Sequence, residues 1–161
     1  MIRKCILWIL TIIWMLLIFG FSAQPATEST KLSESISSTV SEKVLAATSI
    51  PPWKHSPILT AFHIAVRKTA HFLIFAVLGM LVFLLLQSYD LSFWKAFFWM
   101  AWICMLYAVS DEIHQLFSDG RSCRVLDVIL DTIGSACGAL IVHFATMFLT
   151  KFRKRKCSGT K

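Results

Sequence analysis

The segment from Ser110 to Asp131, SDEIHQLFSDGRSCRVLDVILD, concentrates side chains that can transfer protons or bind charged groups. Its ionisable and amide residues are Asp111, Glu112, His114, Gln115, Asp119, Arg121, Arg124, Asp127 and Asp131. Asp111 or Glu112 beside His114 has the residue types for general acid–base chemistry. The spacing is not the H-E-x-x-H pattern that binds zinc. The motif therefore predicts neither a metal nor a cofactor, and catalysis is a less favoured alternative to ligand binding.

The sequence around this segment is apolar enough for a membrane protein. Of the 161 residues, 57% are hydrophobic and 16% are charged, whereas soluble domains have about 45–50% and about 25%. Roughly 17–25 helical residues cross a hydrocarbon core about 30 Å thick. Apolar blocks of this length predict transmembrane helices over residues 5–22, 69–87, 92–110 and 125–149. The expected fold is all-α, a single integral membrane domain over residues 1–161 built as a four-helix bundle.

The first block also resembles a signal peptide, because Arg3 and Lys4 precede it and small residues follow it at Ser22 and Ala23. Signal peptides usually have an apolar core of about 7–15 residues. The run from Cys5 to Phe21 is longer, which favours an uncleaved membrane anchor.

Basic residues predict the orientation of the chain. KFRKRK at 151–156 directly follows the last apolar block, and Arg3 and Lys4 precede the first. Lysine and arginine near the ends of spanning helices mark the cytoplasmic side. The sequence therefore predicts a multi-pass protein of the cell membrane with both termini cytoplasmic. The tail over 151–161 is expected to meet anionic lipid headgroups and not nucleic acid.

The predicted outer loop, residues 23–68, contains an amphipathic pattern. Leu32, Ile36, Val40 and Val44 recur every four residues, with Thr, Ser, Glu and Lys between them. This spacing predicts a helix that lies on the outer membrane surface. The alternative is a mobile, serine-rich loop.

The fourth predicted helix carries polar and small residues on one face. Asp127, Asp131, Gly134 and Gly138 have offsets of 0, 4, 7 and 11, which is a single helical face. The two glycines form a GxxxG pattern that lets a neighbouring helix approach closely. Helix packing through Gly134 and Gly138 is therefore expected to turn both aspartates toward protein.

Basic residues at the outer end of the second helix are the expected partners of these aspartates. His63, Arg67 and His71 share one helical face, and Lys68 lies beside it. Charged residues within a membrane usually pair with one another or mark a functional site. We therefore expect a polar cluster that acts as a binding site, with a purely structural ion-pair lock as the alternative.

Four motifs between about Phe19 and Ile141 resemble the VanZ-like family: FSAQP, RKTAHF, SDEIHQLFSDGRS and LDVILDTIGSACG. The resemblance implies a bacterial cell-envelope protein associated with resistance to glycopeptide antibiotics, teicoplanin in particular. It implies no catalytic residue. The motif positions, which are the candidate ligand-binding residues, are Arg67, Lys68, His71, Asp111, Glu112, His114, Gln115, Arg121, Asp127 and Asp131.

The favoured function is non-enzymatic recognition of an envelope lipid, a lipid-linked precursor or a lipid-tailed antibiotic at the outer face. Arg67, Lys68 and Arg121 would meet anionic groups, while the carboxylates orient them. The expected partners are membrane lipids and a precursor or glycopeptide antibiotic, with no cofactor. The alternatives are a membrane enzyme that modifies a lipid-linked precursor, with His71 or His114 as acid–base, and a small subunit of a larger envelope complex.

Overall fold

The computed structural model describes residues 1–23, 55–117 and 124–158, without the side chains of 55–60, 62, 63 and 152–158. These residues form four helices: α1 (Ile2–Ser22), α2 (His55–Gln87), α3 (Phe93–Gln115) and α4 (Val125–Ser158). The described parts contain no strand. The amphipathic pattern at 32–44 and Arg121 lie outside the described residues.

Each helix contains a segment long and apolar enough to cross a membrane. These segments are Ile2–Ser22, Ile64–Gln87, Phe93–Gln115 and Val125–Lys151. The structure therefore confirms the predicted all-α membrane bundle with four spanning helices.

All four helices extend beyond the blocks predicted from apolar residues. α1 begins at Ile2 instead of residue 5, and α2 begins at His55 instead of residue 69. α3 ends at Gln115 instead of residue 110, and α4 ends at Ser158 instead of residue 149. The apolar run marks the length that hydrocarbon covers, whereas a helix continues wherever its backbone hydrogen bonds are satisfied. The extension of α3 matters most, because it places Asp111, Glu112 and Gln115 on a helical face inside the bundle.

One stripe of α3 is buried along the whole helix. Its apolar part consists of Ala96, Met100, Cys104 and Ala108, all 0% exposed. The same stripe continues through Asp111, Glu112 and Gln115, which are 2%, 2% and 1% exposed. Helical spacing of three or four residues keeps these positions on one face. The face that packs the hydrophobic core therefore also buries the polar residues at the end of α3.

α2 and α4 contact each other through their backbones. A Cβ atom on Gly134 would lie 2.5 Å from the carbonyl oxygen of Phe72, and one on Gly138 would overlap the carbonyl oxygen of Ala76. From the other side, a Cβ on Gly79 would overlap the backbone of Ser135. The two helices run in the same direction, since Lys68 meets Asp127 and the later Phe75 meets the later Ser135. Glycine is required on both helices for this approach.

α1 is attached to the other helices by hydrogen bonds that cross between helices. The Trp14 indole donates to the carbonyl oxygen of Ile74 at 3.0 Å, and the Tyr107 hydroxyl donates to the carbonyl oxygen of Met15 at 2.6 Å. Near the other end, the Trp8 indole donates to the hydroxyl of Tyr89 at 3.0 Å. In lipid, such bonds replace the water that would otherwise satisfy these groups. α1 therefore contacts α2 and α3 at defined positions.

The glycine contact leads to a direct test by substitution. Gly138→Ala is expected to lower the free energy of unfolding by about 1–3 kcal/mol, the usual cost of overpacking a core. The new methyl would press on the backbone of Ala76, which cannot rotate away. The matched control is Gly20→Ala, because nothing lies within 4 Å of a Cβ at Gly20. Thermal unfolding of the purified protein in detergent measures both, and equal effects would contradict the close approach of α2 and α4.

Candidate functional site

A polar cavity lies at the end of the bundle where α3 ends and α4 begins. It contains about 240 Å³ of empty space, part of it open to solvent. Its lining residues are Arg67, Lys68, His71, Glu112, Gln115, Asp127 and Leu130. The cavity therefore brings together polar residues from three helices that are far apart in sequence.

An ion pair between α2 and α4 forms one wall of the polar cavity. The Lys68 ammonium lies 2.5 Å from the carboxylate of Asp127, and their side chains are 37% and 21% exposed. Asp127 belongs to the first turn of α4, where the helix dipole also favours a negative charge. Partial exposure limits the contribution of such a pair to about 1 kcal/mol. The pair occupies Lys68, which the sequence predicts to meet an anionic ligand.

A second pair lies one helical turn deeper. Nδ1 of His71 is 3.8 Å from a carboxylate oxygen of Asp131, which is longer than a hydrogen bond. Asp131 is 1% exposed, and neither of its carboxylate oxygens has a hydrogen-bond partner within the described residues. At 1.5 Å per residue, Asp131 is about 9 Å from the start of α4. His71 therefore separates the polar cavity from a buried, incompletely compensated carboxylate.

Glu112 connects the end of α3 to the start of α4. Its carboxylate accepts a hydrogen bond of 2.8 Å from the backbone N–H of Arg124, the residue directly before α4 begins. The first N–H groups of a helix have no partner within the helix, and an acidic side chain stabilises that end. Glu112 therefore holds the start of α4 in place while also lining the polar cavity.

Asp111 and Gln115 form a buried pair on α3. Nε2 of Gln115 donates to one carboxylate oxygen of Asp111 at 2.9 Å. The other oxygen of Asp111 is buried and has no partner among the described residues. Gln115 reaches the polar cavity, whereas Asp111 lies behind its wall.

His114 is not part of the cavity lining, although its position in the motif had suggested a role beside Asp111 and Glu112. Its ring stacks on Phe19 of α1, with the centroids 4.0 Å apart and the planes 20° from parallel. Its Nε2 is buried without a partner in the described part of the chain. One helical turn contains residues that face different neighbours, so His114 contacts α1 while Glu112 and Gln115 face the polar cavity.

The structure also identifies residues that sequence reasoning had not selected. Leu130 supplies an apolar part of the cavity wall, and its place three residues after Asp127 is the signal that would have indicated it. The Ser135 hydroxyl donates to the carbonyl oxygen of Phe75 at 3.1 Å and joins α4 to α2 below Asp131. Within the described residues, no group of three or more His, Cys, Asp or Glu side chains is placed to hold a metal ion.

These features define a multi-pass helical membrane protein with a polar cavity at one end of its bundle. The chain belongs to the VanZ/LLP1 family, whose model matches residues 7–148 and so covers most of the four helices and the whole cavity lining. Comparison with curated proteins and with solved structures gives no match.

Because Asp131 is buried without a hydrogen-bond partner among the described residues, we expect its replacement by asparagine not to destabilise the protein. Asp131→Asn removes a buried charge that accepts no hydrogen bond within the described residues. His71 is 25% exposed at its side chain and keeps access to water, so no buried charge is left unpaired. We expect the free energy of unfolding to stay unchanged or to rise by about 1 kcal/mol or more.

The matched control is Asp90→Asn, in the loop between α2 and α3. Asp90 has a φ of 61°, a conformation that asparagine also tolerates. Chemical or thermal unfolding in detergent compares the two variants. A loss of about 3–5 kcal/mol for Asp131→Asn, the signature of a broken buried ion pair, would show that Asp131 is a structural lock.

Proposed function

We propose that this VanZ/LLP1 protein recognises, at the outer face of a bacterial cell membrane, the polar head of a lipid, a lipid-linked envelope precursor or a lipid-tailed antibiotic. Through this recognition it contributes to resistance to glycopeptides such as teicoplanin. The observation that supports the proposal is the polar cavity, which opens at one end of a bundle whose flanks are apolar. A ligand with a polar head and an apolar tail matches that distribution of surface.

The surface beside the polar cavity supports a lipid-tailed ligand. Leu126, Ile129 and Ile133 lie on one face of α4 and are 71%, 48% and 52% exposed. Leu130, on the same helix, lines the cavity. An apolar chain that runs along this face would place its head group beside Asp127. Tail contacts of this kind are general, so the cavity would supply the selectivity.

The proposed orientation places both termini in the cytoplasm. The basic segment 151–156 lies roughly 36–43 Å along α4 from Asp127 at 1.5 Å per residue, so it marks the end opposite the polar cavity. Lysine and arginine accumulate on the cytoplasmic side, which leaves the cavity outside.

Cysteine labelling tests this orientation. In single-cysteine variants, a membrane-impermeant maleimide is expected to label Cys123 in intact cells and Cys157 only after the membrane is opened. Each variant serves as the control for the other, since the same reagent and protein are used. Labelling of Cys157 in intact cells would reverse the orientation and place the cavity inside.

A membrane enzyme that modifies a lipid-linked precursor is the second candidate. One observation favours it: His71 lines the polar cavity and has Asp131 behind its Nδ1 at 3.8 Å. A histidine that a buried carboxylate orients is a frequent general acid–base arrangement. His114 does not fit this role, because it stacks on Phe19 outside the cavity lining.

Antibiotic susceptibility in a host that lacks the gene tests the proposed function. Lys68→Gln and Asp131→Asn are expected to lose teicoplanin protection by about tenfold, the effect of ~1.4 kcal/mol in binding, while membrane levels stay normal. Asp111→Asn is expected to weaken protection less, because Asp111 already accepts a hydrogen bond from Gln115. His114→Gln should keep protection. Lys95→Gln, at the opposite end of α3, is the matched control.

His71→Gln separates the two candidates within the same assay. Glutamine keeps hydrogen bonding but transfers no proton, so a binding protein would retain part of its protection and an enzyme would lose all of it. Full protection by all of the cavity variants at normal protein levels would contradict both candidates.

A further inference from the structure

The charges that line the polar cavity differ from those of a site for simple anions. We propose that the cavity binds a head group that contains both a phosphate and a primary ammonium, as in ethanolamine phosphate. This inference rests on the proposed function and specifies its ligand. It follows from which charges in the cavity are already paired and from which side chains are absent from the described lining.

The cavity contains one acid and one base that the described ion pairs leave available. Lys68 and Asp127 neutralise each other at 2.5 Å. Arg67 has no ion pair with any described residue, whereas Glu112 is bonded, among those residues, to a single backbone N–H. A guanidinium binds phosphate through two parallel hydrogen bonds. An anion alone would meet the negative charge of Glu112, and a cation alone would meet Arg67, but a zwitterion satisfies both.

The carboxylates behind the wall increase the negative potential on the α3 and α4 side. Asp111 and Asp131 are 2% and 1% exposed, and together they have three carboxylate oxygens without a partner among the described residues. Charges in a low-dielectric surrounding act over longer distances than charges in water. The ammonium is therefore expected on the side of Glu112, Asp111 and Asp131, with the phosphate toward Arg67 on α2.

The lining favours a primary ammonium over a quaternary one. Glu112 and Gln115 lie three residues apart on α3, and both reach the cavity. Gln115 donates its amide N–H to Asp111, which leaves its amide oxygen as an acceptor for an N–H donor. Quaternary ammonium groups donate no hydrogen bond and are usually held in cages of aromatic rings. No aromatic residue other than His71 occurs in the described lining.

The cavity is too small to enclose a drug-sized ligand. Its empty space of about 240 Å³ includes open solvent, so a head group would contact the lining residues from the open side. A peptide or sugar attached to the head group would remain outside.

Thermal stabilisation of the purified full-length protein in mixed micelles tests the inference. The probes are phosphatidylethanolamine, phosphatidylcholine and phosphatidylglycerol with identical acyl chains, together with soluble ethanolamine phosphate. A ligand that binds the folded state raises the unfolding temperature in proportion to its affinity and concentration. Phosphatidylethanolamine is expected to bind about tenfold more tightly than the other two lipids, the effect of one additional charge-assisted hydrogen bond.

Two variants test the ammonium and the phosphate contacts separately. Glu112→Gln is expected to lower the affinity for phosphatidylethanolamine to that for phosphatidylcholine, without lowering the affinity for phosphatidylglycerol. Its glutamine oxygen still accepts the Arg124 N–H, so the start of α4 stays capped. Arg67→Gln is expected to weaken all three lipids to a similar extent. Asp90→Asn, in the loop at the other end of α2, is the control and should change none of them.

The outcomes distinguish this inference from the proposed function. A preference for phosphatidylglycerol that depends on Arg67 would overturn the proposal of a zwitterionic ligand. The proposed function, recognition of a lipid head group, would remain. Equal binding of all lipids, unaffected by Arg67→Gln and Glu112→Gln, would overturn both. If soluble ethanolamine phosphate competes with the lipids, the inferred ligand chemistry is supported and the head group alone is sufficient for binding. If the protein selects phosphatidylethanolamine but ethanolamine phosphate does not compete, the same chemistry is supported and the ligand is a lipid.

Discussion

The contact between the backbones of α2 and α4 is the constraint on which the rest of the structure depends. Gly134 and Gly138 admit the carbonyl groups of Phe72 and Ala76, and Gly79 admits the backbone of Ser135. Side chains of ordinary size would separate the helices by several ångströms. In lipid, helices associate through close packing and hydrogen bonds, because the hydrophobic effect does not favour one apolar contact over another. The glycines therefore allow the close packing of these two helices, and they also determine which residues lie opposite one another.

That register extends directly into the polar cavity. α2 and α4 run in the same direction, and paired residues are separated by 59 or 60 positions: Lys68 with Asp127, His71 with Asp131, and Phe75 with Ser135. A shift of one helical turn would move Lys68 away from Asp127. α3 then closes the third side, because its buried stripe changes from Ala108 to Asp111 and Glu112 where the other helices become polar. The position of the site is thus a consequence of the packing below it.

The sequence predicted the parts that depend on one helix at a time. Apolar runs predicted the four spans, and the period of α4 placed Asp127 and Asp131 on the face of Gly134 and Gly138. It did not predict relations between helices. Nothing in the order of residues shows that Lys68, and not Arg67, pairs with Asp127. His114 was grouped with its neighbours in the motif, although its ring contacts α1. An isolated Gly79 carries no spacing pattern, and its role becomes visible only opposite Ser135.

The way the charged side chains are paired argues for a binding site and against a purely structural ion-pair lock. At the mouth of the cavity, where water already screens charge, Lys68 and Asp127 are in direct contact at 2.5 Å. One turn deeper, where an isolated charge is more costly, His71 and Asp131 are 3.8 Å apart and the described residues donate no hydrogen bond to Asp131. A network selected for stability would have its best geometry at the most buried position. Here the best geometry is at the surface, and the buried carboxylate keeps its hydrogen-bonding capacity. Ionisable groups inside a membrane usually mark functional sites, and a protein that keeps one without a partner gives up some stability.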